Sequence, residues 1–386
     1  MAIFNSTAPC PYCYTEINPR KLAYRCSGRN HPDRQPCAKA PDATRQRHFG
    51  DSDPYWPVIA PVGSSSGSCP GCGSAPGSAI CPACHSRLPL EFSSANLQVG
   101  VMGEYNSGKS TYLAALDGEI QKLASRLGAS CRHGDGDGNR DLQRYWSEIE
   151  RNGHLPPQTQ RINGLGQPAI YSWRSTDGRR VKGALISFTD HSGSDFLQGQ
   201  PLDGNGAFGY LARSTAILLV LDPFNFPANA GSRGVRGLRE PHPDGASERI
   251  VQNAAIAIRQ ARGIKPTKAI PVPLACFVAK MDAFSDEGSR YGAASGVERI
   301  PYSSSQIRTR LGAWGADSLV QVVETEFARV RYFGGSALGS EPDYANARVP
   351  EKKAQPAGVA DPLLWFMAEK GIVRSNRMDQ SFKERA

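Results

Sequence analysis

A chain of 386 residues has room for two or three domains, and 39% hydrophobic with 21% charged residues fits a globular protein. No run approaches the roughly 18–20 apolar residues needed to span a bilayer, and the chain does not open on a signal-peptide hydrophobic region. A cytoplasmic protein without membrane contact is therefore expected. The net charge of +9 allows an anionic partner, but it is equally the mark of a plain basic surface. Ten cysteines, eight of them between Cys10 and Cys84 and mostly in Cys-x-x-Cys pairs, point to metal and away from disulfides.

The first pair is Cys10-Pro-Tyr-Cys13, followed by Cys26 and Cys37. Residues 1–50 are read as one small zinc-binding module, with Cys37 preferred over His31 as the fourth ligand. Residues 51–68 carry Pro54, Pro57, Pro61 and a Gly-Ser stretch, the composition of a linker, around a short apolar patch (Tyr55, Trp56, Val58, Ile59). Cys69-Pro-Gly-Cys72 and Cys81-Pro-Ala-Cys84 then make a compact four-cysteine site, so residues 69–92 are read as a zinc ribbon. Four protein ligands leave no open position on the ion, which makes both sites structural. His85 reads as a bystander. The first 50 residues hold eight Lys/Arg against three acids, Glu16, Asp33 and Asp42, so nucleic acid is one partner class for this module.

Leu97–Met102 has the composition of a buried strand. It runs into Gly-Glu-Tyr-Asn-Ser-Gly-Lys-Ser-Thr at 103–111, and a helix is expected through Tyr112–Leu116. Strand, glycine-rich loop and helix in this order form a phosphate-binding loop. The backbone around Gly103, Asn106, Ser107, Gly108 and Thr111 would cradle the phosphates. Lys109 would reach the β- and γ-phosphates, and the Ser110 hydroxyl would hold Mg²⁺.

A loop around Arg132–Arg140 and a helix over Leu142–Glu150 come next. Thr159 then sits in a Pro-rich loop, where it either completes the Mg²⁺ shell or is an ordinary loop threonine. Ala184–Thr189 reads as a buried strand ending in Asp190-His191-Ser192-Gly193. There Asp190 would hold a magnesium-bound water, and the Gly193 N–H would meet the γ-phosphate. Ala216–Leu221 is a wholly apolar strand ending at Asp222. Residues Pro223–Pro243 are long and polar for a connection and read as a surface insertion that contacts a partner.

A helix is expected over Ala246–Arg262. A strand over Pro271–Ala279 then leads into Lys280-Met281-Asp282. The Asp282 carboxylate can accept from N1 and N2 of guanine while the Lys280 stem lies on the base, and adenine offers no matching donor pair. A helix over Gln306–Arg329 and a strand at Val330–Phe333 lead to Ser336, Ala337 and Leu338, whose N–H groups are placed to reach guanine O6. A last helix covers Pro362–Lys370, and the tail, residues 376–386, should fray. Cys131 and Cys276 are left over, Cys276 as a core residue.

Five segments in this order resemble the translation-factor-like (TRAFAC) branch of P-loop GTPases over residues 97–375. The resemblance implies an α/β P-loop NTPase fold, a doubly wound and mostly parallel sheet, preceded by the two zinc modules. With those modules the chain resembles bacterial double-GTPase proteins of predicted conflict or anti-phage systems. The resemblance also implies a GTP/GDP-dependent switch that hydrolyses GTP with Mg²⁺, carries two structural Zn²⁺, and recruits a protein partner through the zinc modules. Three positions depart from the family. Ala279 stands where Asn or Thr would tether the base loop to the phosphate loop. Ser194 replaces a water-orienting glutamine, so hydrolysis is expected to be slow or to rely on His191 or a partner group. Asn106 occupies the position that permits K⁺ assistance. The alternatives are a zinc-dependent nucleic-acid-binding protein regulated by the nucleotide site, and an ATPase.

Overall fold

The computed structural model describes residues 7–29, 33–60, 67–92, 95–134, 136–157, 167–177, 180–190, 207–238, 246–284, 304–349 and 354–373. Thr159, His191, Gly193, Ser194, His31 and the 376–386 tail lie outside the described residues.

The centre is a seven-stranded sheet. In chain order its elements are β1 (Leu97–Met102), α1 (Lys109–Arg126), β2 (Ala129–His133), α2 (Asp137–Asn152), β3 (Ala169–Asp177), β4 (Arg180–Thr189), α3 (Ala207–Arg213) and β5 (Ala216–Leu221). They continue with α4 (Ser247–Arg262), β6 (Leu274–Val278), α5 (Ser304–Ala313), α6 (Asp317–Glu326), β7 (Val330–Gly334) and α7 (Asp361–Glu369). The strand order is β7-β6-β5-β1-β4-β3-β2. Neighbours from β7 to β4 run parallel, and β3 is the one reversed strand, antiparallel to both β4 and β2.

A parallel sheet with both faces covered needs strands that are apolar on both sides, and every residue of β1, β5 and β6 is buried. Alternate residues feed two separate cores. Ala216, Leu218 and Val220 of β5 pack with α1 and α7, and Ile217, Leu219 and Leu221 pack with α4 and α6. The mostly parallel α/β architecture expected from the sequence is thus present. The helix expected over 306–329 is two helices. The chain breaks at Gly315, which takes φ +79°, a conformation that favours glycine.

The front of the chain is organised differently from the expectation. Residues 58 and 59 are not linker. Val58–Ile59 and Pro76–Ile80 flank Ala23–Cys26 as the two outer strands of an antiparallel sheet. Ala40–Pro41 pairs with Pro54–Tyr55. Residues on either side of the expected boundary therefore share one small fold. Pro-rich composition signalled a linker, but proline is tolerated on edge strands, where these residues lie.

This unit sits on the β3–β4 end of the sheet. Ala8, Ile17, Leu88 and Phe92 share a core with Ile170 of β3 and Leu185 of β4, and Gln98 Nε2 donates to the Pro9 carbonyl at 2.8 Å. Glu91 fixes the seam. Its buried carboxylate accepts from Ser172 Oγ (2.7 Å), Arg174 Nε (2.8 Å) and Arg132 Nη2 (3.1 Å). Burial alone would raise its pKa, but these bonds outweigh burial and hold it below the usual glutamate value. Glu91→Ala should cost about 1–3 kcal/mol, read as a lower thermal midpoint. The stabilisation is present above the ordinary glutamate pKa of 4.5 and is lost as pH falls below it, so the gap to the unaltered protein should close on acidification.

Candidate functional site

All eight N-terminal cysteines fall into two four-sulfur clusters, but not in the sets expected from their order. One is Cys10, Cys13, Cys81 and Cys84, and the other is Cys26, Cys37, Cys69 and Cys72. Each cluster joins a pair from the first segment with a pair from the second. Cys37 is a member of the inner cluster, with Cys26, Cys69 and Cys72, and not the fourth ligand of a site with Cys10 and Cys13. Zn–S bonds of about 2.3 Å in a tetrahedron require sulfurs about 3.8 Å apart. The separations are 3.9 Å for Cys10–Cys84, 3.7 Å for Cys13–Cys81, 3.7 Å for Cys37–Cys69 and 3.4 Å for Cys26–Cys72.

The turns have the geometry of zinc knuckles. In each Cys-x-x-Cys the residue after the second cysteine donates its N–H back to the first cysteine's carbonyl: Tyr14 to Cys10, Gly73 to Cys69, His85 to Cys81. These three residues take φ +60°, +71° and +56°. Backbone N–H groups of Tyr12, Gly28 and Ala83 point at sulfurs, the support a thiolate set needs. The residues present fit two four-thiolate zinc ions. His85 belongs to neither ligand set, as expected, but it has a structural partner. Its Nδ1 lies 2.9 Å from Asp42, which also pairs with Arg25 at 2.5 Å. Burial pushes Asp42 up, yet His85 and Arg25 hold its pKa at about 2.

The phosphate loop follows β1. At Gly103 (φ +150°) a β-carbon would lie 2.3 Å from the Val220 carbonyl, so the close approach of β5 demands glycine there. Gly108 (φ +92°) turns the chain into α1, whose start has no side-chain cap, leaving its dipole directed at the loop. Lys109 Nζ folds over the loop and donates to the carbonyls of Gly103 (3.1 Å) and Glu104 (2.8 Å). Ser110 Oγ donates to Asp190 Oδ2 at 3.0 Å, which joins the two residues expected to organise Mg²⁺. The chemistry of that pair, a hydroxyl and a carboxylate, fits a hard cation with oxygen ligands.

Lys280-Met281-Asp282, the segment expected to read the base, lies beside this loop. Lys280, at φ +56°, donates to Asp222 Oδ2 at 2.6 Å and to the Asn106 carbonyl at 3.3 Å. The tether that Ala279 cannot provide is therefore supplied by Lys280. Asp282 is buried, and burial raises its pKa against the opposing Ser336 hydrogen bond; Glu341 raises it further and Lys280 lowers it. Ser336 also accepts from the N–H groups of Leu338 (3.2 Å) and Gly339 (2.7 Å), while its own N–H donates to Ala357. The N–H groups of Ser336 and Leu338 are thus committed within the loop. Of the three placed for O6, the Ala337 N–H is the one without such a bond among the described residues.

No family model matches the sequence, and no curated protein is significantly similar to it. Solved structures do align. The chain is similar to Methanosarcina barkeri Roco2 RocCORdC bound to GDP, at 15% identity over 74% of this chain and 51% of that one, with a TM-score of 0.28. It is similar to the S. cerevisiae Ski7 GTPase-like domain bound to GTP, at 16% identity over 72% of this chain and 51% of that one, TM-score 0.33. The G domain of the T. maritima FeoB iron transporter aligns at 10% identity over 72% of this chain and 99% of that one, TM-score 0.27. The chain thus spans about half the length of the Roco2 and Ski7 structures. What it binds has to come from its own residues.

Three residues around the site escaped the sequence reading. Glu104, inside the loop, turns its buried carboxylate away to accept from Ser247 N (2.9 Å) and Ser247 Oγ (2.5 Å) at the start of α4, and from Asn225. Burial raises its pKa, Ser247 opposes, and the nearby Asp222 raises it further. Asp222 accepts from Phe224 N at 3.0 Å besides binding Lys280. Tyr344 lies beneath the Lys280 ammonium, 5.3 Å from ring to nitrogen, with Phe224 edge-on at 6.4 Å. An aromatic ring beneath Lys280 carries no spacing signal in sequence.

The crossed cysteine sets have a direct test. A Cys10→Ser, Cys81→Ser double variant alters one cluster under the observed grouping and both under the sequential one. Elemental analysis of the purified variant should show loss of one zinc of two; loss of both would restore the sequential sets.

Proposed function

We propose that the chain is a Mg²⁺-dependent GTP-binding switch that hydrolyses GTP slowly. The observation that carries this reading is Lys280. From the guanine-reading segment it reaches the Asn106 carbonyl of the phosphate loop, which puts Asp282 beside the loop that holds Lys109 and Ser110. In this reading Lys109 neutralises charge building on the β- and γ-phosphates, and Ser110 with Asp190 organises Mg²⁺. Asp282 accepts from N1 and N2 of guanine, with the Lys280 stem against the base. Thr159, His191 and Gly193 would complete the γ-phosphate sensor, and Asn106 would permit K⁺ assistance.

The zinc-bearing unit lies outside the nucleotide machinery, and we assign it recruitment of a protein partner. A bacterial conflict or defence system is the context that the double-GTPase resemblance supplies. Two of the unit's basic residues are not available to an anionic partner. Arg25 and Arg45, two of the eight basic residues of the first 50, are already paired with Asp42 and Asp51. No described helix is long and apolar enough to cross a membrane.

Competitive binding of GTP and ATP in Mg²⁺ should show a guanine preference that disappears in Asp282→Ala, while Lys109→Ala weakens both triphosphates. Equal affinity for GTP and ATP in the unaltered protein would reduce the reading to a phosphate site. Because guanine needs the ionised carboxylate and burial raises the Asp282 pKa, GTP affinity should fall on acidification from above the ordinary aspartate range. Asp282→Asn should flatten that pH profile.

A further inference from the structure

Tyr14 belongs to the zinc knuckle but its side chain does not serve the metal. It follows Cys13 in the left-handed conformation, φ +60°, because the turn around Cys10 and Cys13 requires it there. The inner-cluster turn solves the same problem with Gly73, which has no side chain to strain. A tyrosine at such a position is disfavoured unless its side chain is used elsewhere.

The ring leaves the zinc unit and is buried (3% exposed) in the sheet core that also contains Met102, Tyr210 and Leu211, the one residue of that unit in this core among the described residues. It packs against Tyr210 at 6.0 Å, and Tyr210 in turn donates to the Val101 carbonyl of β1, two residues before Gly103. The Tyr14 hydroxyl donates to Thr189 Oγ1 at 3.3 Å. Thr189 is the last residue of β4, and the next residue is Asp190, which accepts from Ser110. One side chain therefore connects the Cys10–Cys13–Cys81–Cys84 cluster to the end of β4, next to Asp190, and through Tyr210 to β1, which leads into the loop ahead of Ser110.

We propose that Tyr14 is a positioning residue for the magnesium site: held by the zinc knuckle, it fixes Thr189 and so sets Asp190 against Ser110. This rests on the reading of the phosphate loop and Asp190 given above. Zinc, when bound, supplies the rigidity of the turn; the coupling itself runs through the tyrosine. The zinc-bearing unit then does more than decorate the nucleotide domain, since the state of its outer cluster is felt at the cation.

The test is the Mg²⁺ dependence of binding of a fluorescent GDP analogue to the full, zinc-loaded chain. Tyr14→Phe keeps the ring and removes the hydroxyl, and Thr189→Val removes its acceptor far from any cysteine. Each should raise the Mg²⁺ concentration needed for half-maximal binding by about three- to tenfold, the scale of one hydrogen bond, with two zinc ions per chain retained and Mg²⁺-free nucleotide affinity unchanged. The double variant should lose no more than either single one. Unchanged Mg²⁺ dependence in both single variants, or additive losses in the double, would overturn the coupling. If Tyr14→Phe loses zinc, Thr189→Val decides the question alone. Failure of the unaltered protein to bind the analogue would instead overturn the site reading and the coupling with it.

Discussion

Where the chain leaves β1, the neighbouring strand leaves it no room. The Val220 carbonyl of β5 stands 2.3 Å from where a β-carbon of residue 103 would be, so the residue must be glycine and the backbone must turn. Ser107 is fully buried beneath the resulting loop, and Gly108 swings the chain into α1. Lys109 then falls back across the loop onto the Gly103 and Glu104 carbonyls. The shape of the phosphate cradle is thus set by strand spacing in a buried parallel sheet. The side chains that would touch a ligand are placed by that spacing before any ligand arrives.

The crossed cysteine sets impose a second constraint, on the front of the chain. The inner cluster ties residues 26 and 37 to 69 and 72, and the outer one ties 10 and 13 to 81 and 84. The two are nested, so closing the inner one shortens the loop that the outer one must close. The unit has little else to hold it. Its strands run from two to five residues, and its helix, Ala43–Phe49, buries none of its residues. Structural zinc contributes about 10–16 kcal/mol to such small folds, far more than this amount of apolar contact can. Residues of the outer cluster share a core with β3 and β4, so the metal-dependent unit and the sheet are packed as one surface.

The sequence carried the parts of the fold whose signal is local. β1, β5, β6 and the Ala184–Thr189 half of β4 are buried runs because both their faces are covered, and these stand where the runs predict; β4 itself begins earlier, at Arg180, and its residues 181–183 are exposed. β2 was invisible: in Ala129-Ser-Cys-Arg-His133 only Cys131 is buried, and polar edge strands look like loops. β3 carries no clear signal although Tyr171 and Trp173 alternate inward, because the residues between and after them on the other face are Ser172, Arg174 and Thr176. The eight ligand cysteines were legible, but their grouping was not. Cys-x-x-Cys fixes two thiolates on one ion and says nothing about which other pair completes it. The Lys280–Asn106 contact and the burial of Glu104 are likewise long-range, set by which strand ends the sheet order brings together.

Glu104 raises a physical question, since a carboxylate inside an anion-binding loop should repel its ligand. The structure directs the charge elsewhere. The carboxylate lies at the N-terminus of α4, where the helix dipole and the Ser247 N–H favour an anion, and only the backbone carbonyl of Glu104 faces Lys109. Asn225 completes its bonding from the segment after β5. That same segment buries Phe224 and Phe226, uses Arg233 to hold the Phe224 carbonyl at 3.1 Å, and pairs Arg236 with Glu341 on the base-side loop. Asp222, at its root, holds Lys280. What composition suggests is a surface insertion is, with Asp222 and residues 223–238, a bracket with one bond to Glu104 of the phosphate loop, one to Lys280 and one to Glu341 in the loop beyond Ser336. Separating these contacts would loosen the 103–111 loop and the Lys280–Asp282 segment from each other without altering either of them.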